Sequence, residues 1–165
     1  MSWLVFAAAC AAGCVFHFLY VPLGRPRLLR WLLPVNESPW EHFKLAFWPL
    51  GAGLFAVSRL GGIPAAAWVC AWAYAAAHGF FTMTGIYYFY RAALGVPRPV
   101  LWADISNYFI TMFFGWVLGL RALTYRPGTA AVLPAAVCLT ACAVLFVTAS
   151  ETPPTNPLFR EERRK

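Results

Sequence analysis

Residues 129–149 read TAAVLPAAVCLTACAVLFVTA, a run without a single charged side chain. About 20 apolar residues in a helix cross the hydrocarbon core of a bilayer. Inside that core only a helix or a closed barrel satisfies its own backbone. Four other stretches repeat the pattern: Ser2–Val21, Pro39–Val57, Pro64–Arg91 and Pro99–Leu120. The third is longer than a bilayer requires and is expected to tilt or protrude. Together they predict an all-α fold: a polytopic membrane bundle of five transmembrane helices over residues 1–150, followed by a short polar, basic tail at 151–165.

Composition agrees. The 165-residue chain is 61% hydrophobic and only 12% charged, about half the charged share of an ordinary soluble domain. Its net charge of +7 would suit nucleic acid if it formed a patch. Instead the basic residues fall in short connections and in the tail, where they orient helices against a membrane surface. The expected partner is therefore the lipid bilayer, and nucleic acid is not expected. Cys10, Cys14, Cys70, Cys138 and Cys142 all lie inside apolar stretches, where they read as small core residues rather than a disulfide framework or a thiol–metal site. Phe6–Cys14 resembles the end of a signal peptide, but no Lys or Arg precedes it and the apolar run continues to Tyr20. An uncleaved first helix is expected.

Threading five helices puts ten Lys and Arg residues on one side and three, Arg59, Arg121 and Arg126, on the other. The positive-inside rule then sets the amino terminus outside and the tail in the cytoplasm. Trp31, Trp40, Tyr87, Tyr88, Tyr90 and Trp102 fall near the same cytoplasmic boundary, where amphipathic rings prefer to sit.

On this threading the polar groups converge on one leaflet. His17 ends span one, Glu37, Glu41 and His42 open span two, Asp104 and Asn107 open span four, and Glu151 and Asn156 follow span five; His78 lies deeper in span three. The densest stretch is residues 36–44, NESPWEHFK. Ser38, Pro39 and Glu41 suit the N-cap, N1 and N3 positions of a capping box. That leaves Glu37 and His42, which could serve as acid and base or as metal ligands. In span four, Asp104, Asn107, Thr111, Gly115 and Gly119 share one face, and the G-x-x-x-G pair should pack against another helix. An intramembrane carboxylate is a functional candidate, with a hydrogen bond to Arg91, Arg98 or Tyr88 as its structural alternative. His78, Thr82, Gly85, Tyr88 and Arg91 form a comparable seam in span three, and Pro49, Gly51 and Gly53 interrupt span two.

Asn36-Glu37-Ser38, Trp40-Glu41-His42 and Lys44 resemble the N-E-S-x-W-E-H-x-K signature of a family of uncharacterised bacterial multi-pass membrane proteins. The tail's Thr152-Pro153-Pro154 and Pro157-Leu158-Phe159 are similar to that family's carboxy-terminal pattern. The resemblance implies a small helical membrane protein and no established activity.

Two functions follow from the residues. The first is a pocket at the cytoplasmic leaflet for an amphiphilic small molecule or lipid, with Glu37, His42, His78 and Asp104 as catalytic candidates and Asn107, Tyr88, Glu41 and Thr82 as ligand-binding candidates. The second is a proton- or ion-coupled carrier using Asp104 and His78. A structural or accessory subunit is a third alternative, since the small-residue faces could also join copies into a homo-oligomer. The sequence assigns no metal centre, names no cofactor, and leaves open whether the protein is an enzyme.

Overall fold

The computed structural model describes residues 1–96, 100–125 and 127–159. Among these residues there are five α-helices and no strand: α1 Ser2–Leu19, α2 Pro39–Leu60, α3 Ala65–Leu94, α4 Leu101–Leu123 and α5 Thr129–Glu151. A single 3-10 turn at Arg27–Leu29 lies in the connection between α1 and α2. The helix ends follow local chemistry. Ser38 caps α2 by accepting the Glu41 N–H, with Pro39 at the first helical position, where its missing donor costs nothing. Gly95 closes α3 at φ +61°, a left-handed conformation that glycine adopts without strain.

The second, third, fourth and fifth helices run slightly past the expected ends, and Glu151 is the last residue of α5 rather than part of the tail. Pro49, Gly51 and Gly53 do not interrupt α2, which is continuous through them. Six of the basic residues used to orient the bundle, Arg98, Arg126, Arg160, Arg163, Arg164 and Lys165, lie outside the described residues, as does the expected Arg98 partner of Asp104.

α2 is the hub, buried along most of its length from Pro39 to Leu54. α1 and α3 flank it, α4 pairs with α3, and α5 lies on α3. Small residues set these approaches. A Cβ on Gly115 or Gly119 would meet Leu50 Cδ1 at 2.7 Å and Leu54 Cδ1 at 2.6 Å, so the glycine face of α4 seats two leucines of α2. Proline has no N–H, so Pro49 leaves the Leu45 carbonyl without its helical partner. α1 passes close there, where a Cβ on Gly13 would come within 2.6 Å of that oxygen and would also strike Tyr108 Oη. Phe43, Phe47, Trp116 and Phe146 fill the centre.

The outside of the molecule is apolar. Phe18, Phe81, Phe89, Leu101 and Leu133 are each 65% exposed or more. α1 and residues Ala130–Glu151 of α5 are each long and apolar enough to cross a membrane. In α2, α3 and α4 the Trp, Tyr, His and charged residues lower the average below that mark. The most apolar stretch of α5 is only 11% buried, so α5 is not a core helix of this bundle.

Trp40 departs from the expected interfacial belt. It is 5% exposed and packs on Phe146 and Phe159 at ring separations of 5.0 and 5.2 Å. The described part of the tail therefore returns to the bundle, with Leu158 accepting the Trp40 N–H at 3.0 Å. Trp31, Tyr88 and Trp102 are exposed.

Candidate functional site

The end of the bundle where α2 begins gathers most of its ionisable groups, and α2 divides them in two. One half is sealed. Lys44 is 0% exposed and Glu41 1%. A lone buried charge is strongly unfavourable, so each must be paired and fully hydrogen-bonded. Lys44 Nζ donates to Glu41 Oε2 at 2.6 Å, to Ser150 Oγ at 2.6 Å and to the Arg30 carbonyl at 2.5 Å. An ammonium has three donors, and three acceptors meet it. Glu41 Oε2 also accepts the Val35 N–H at 2.9 Å, and Ser150 Oγ lies 2.7 Å from Glu41 Oε1. This knot ties α2 to the α1–α2 connection and to the end of α5. Glu41 therefore does not close the capping box, because the Ser38 N–H goes to Asn36 Oδ1 instead.

The other half is open. Glu37 Oε2 lies 3.4 Å from His42 Nε2, with side chains 48% and 28% exposed. The second ring nitrogen, His42 Nδ1, is 3.0 Å from the Ser38 carbonyl. A carbonyl only accepts, so Nδ1 donates to it, and Nε2 forms an ion pair with the Glu37 carboxylate when that nitrogen is also protonated. His17, from the last turn of α1, stands beside this pair, its ring 5.2 Å from that of His42. Its Nδ1 is buried with no hydrogen-bond partner among the described residues. Donor atoms of His17, Glu37 and His42 all lie within 4.8 Å of one another.

His42 also walls a small cavity of about 40 Å³ together with Asp104, Asn107, Tyr87, Tyr108, Pro39 and Met83. That is room for water-sized molecules. Asp104 Oδ1 accepts from Tyr90 Oη at 2.7 Å, and Tyr90 in turn accepts the Val100 N–H at 3.3 Å. The carboxylate is thus held at the junction of α3 and α4. Asn107 is buried, donating to the Met83 carbonyl at 2.8 Å and accepting from Thr111 at 3.4 Å. It clips α4 to α3 and lends one wall to the cavity.

Of the residues singled out in the sequence, the structure thus brings together Glu37, His42, Asp104 and Asn107. Glu41 stands apart in the sealed knot. His78 pairs locally with Thr82 at 3.1 Å, away from the cavity. Tyr88 borders a separate shallow groove with Phe80, Phe81, Asn156 and Leu158. Sequence reasoning did not give site roles to His17, Tyr87, Tyr90 and Tyr108. Tyr108 follows Asp104 by four residues, so its helical spacing was a usable signal. His17 and Tyr90 become neighbours only through the packing of other helices.

The molecule is an all-α bundle with a polar, ionisable end. A family model described as a family of unknown function, DUF6512, matches residues 2–164. The chain belongs to that family. No curated protein and no solved structure matches it.

Proposed function

We propose that this protein is an integral membrane protein of the bacterial cytoplasmic membrane whose polar end binds the head of an amphiphilic small molecule or lipid. In this reading all five helices cross the bilayer, with the amino terminus outside and the polar end in the cytoplasmic leaflet. The barely buried α5 and the exposed Phe and Leu side chains support immersion in lipid, because an apolar surface of that extent is unfavourable in water. The observation that carries the site is that His42 and Asp104 line one cavity while His42 also contacts Glu37. Ionisable side chains at membrane depth are unfavourable unless they serve a purpose. His42 and Glu37 are in contact and suit proton transfer to or from a headgroup, while Asp104 and Asn107 orient it. The carrier alternative gains less support, since His78 is satisfied by Thr82. A homo-oligomer would use the open faces of α1 and α5, because Leu50 and Leu54 already occupy the glycine face of α4.

Photoreactive phospholipid analogues in native membranes test this site. Labelling should map to peptides around His42 and Asn107 and fall several-fold in a Glu37→Gln, His42→Ala, Asp104→Asn triple variant. Equal labelling of the variant would overturn it. Reporter tags test the threading: termini found in the same compartment would contradict five spans.

A further inference from the structure

We infer that His17, Glu37 and His42 form a site for one divalent transition-metal ion of the zinc class. Two imidazoles and one carboxylate are a donor set that zinc accepts, with three protein ligands and a fourth position left open. Metal–donor distances of about 2.0–2.1 Å in a tetrahedral site place donors about 3.3 Å apart. Glu37 Oε2 and His42 Nε2 are already at 3.4 Å. The widest separation in the trio is no more than 4.8 Å. Glu37 is exposed and both histidines are partly so, and modest side-chain rotation at Glu37 and His17 would bring the donors to that spacing.

Two further observations single out this trio. A histidine that binds a metal through one nitrogen usually donates its other N–H to a carbonyl or carboxylate, which fixes the tautomer and aims the ring. The Ser38 carbonyl does this for His42, and Ser38 is itself fully buried as the cap of α2. The sealed side of the motif thereby steadies a donor on the open side. His17 supplies the second observation. An ion pair between His42 and Glu37 explains their contact but gives His17 no role, although its ring stands beside theirs and its Nδ1 is without a hydrogen bond among the described residues. A cation gives all three side chains a common partner.

The site shares His42 and Glu37 with the proposed headgroup pocket but needs no amphiphile, so either assignment can fail while the other stands. A bound ion would join the end of α1 to the start of α2, and binding to the folded state alone would raise stability.

The test is titration of the chelator-treated full chain in detergent with Zn²⁺, and with Co²⁺ as a spectroscopic probe. One ion per chain should bind, with visible d–d bands of four- or five-coordinate Co²⁺, no thiolate charge-transfer band in the near ultraviolet, and a higher melting temperature. His17→Ala, Glu37→Gln and His42→Ala should each weaken binding at least tenfold, while Glu37→Asp retains most of it. Melting of the metal-free variants reports whether each is folded, and His17→Gln serves as a second variant if the alanine form is not. No saturable binding, a thiolate band indicating capture by the cysteines, or unchanged affinity in the folded variants would overturn the assignment.

Discussion

Glu41 and Glu37 are four residues apart in one motif and meet opposite fates. Glu41 is 1% exposed and has a lysine, a serine and a backbone N–H as partners. Glu37 is about half exposed and faces two imidazoles. The difference teaches that a cluster of ionisable residues at a helix start is not one site. α2 turns Glu41 and Lys44 into the bundle, where they must satisfy each other, and leaves Glu37 and His42 in contact at its partly exposed mouth.

The largest effects should come from breaking the sealed half. Glu41→Gln or Lys44→Met leaves one buried charge without its counter-ion and should cost about 3–5 kcal/mol, seen in denaturant unfolding of the detergent-solubilised protein. The double variant Lys44→Met, Glu41→Leu should recover much of that loss, because a buried ion pair is replaceable by apolar side chains of similar volume. Gly13→Ala comes next. The new methyl group would press on Leu45 O and Tyr108 Oη, and overpacking of this kind costs about 1–3 kcal/mol. It should also displace α1 and with it His17, so the variant should weaken metal binding without touching a ligand. Ser150→Ala removes one of three acceptors around Lys44 and should cost about 1 kcal/mol, as for a single hydrogen bond. The smallest effect belongs to the open half: Glu37→Gln should change stability by less than about 1 kcal/mol, as for a partly exposed ion pair.

Much of the architecture could be read locally. Pro, Gly and Ser residues mark where the helices start and stop, and the cap at Ser38 is written in the motif itself. The small-residue spacing at Gly115 and Gly119 marks a face that receives another helix. What could not be read is partnership across distance. Lys44 meets Ser150 more than a hundred residues away, and no local pattern announces that a terminal serine will accept from a buried lysine. Asp104 accepts from Tyr90 because the end of α3 packs beside the start of α4, a matter of tertiary packing rather than period. His17 reads as the end of an apolar helix until α1 docks on α2 and sets it beside His42. Trp40 looks like an interfacial ring until the tail closes over it.

The division of the motif is most directly tested by the unfolding free energies of Glu37→Gln and Glu41→Gln, measured side by side in the metal-free full chain. The account predicts a near-normal value for the first and a loss of about 3–5 kcal/mol for the second. Equal losses, or a larger loss at Glu37, would contradict it.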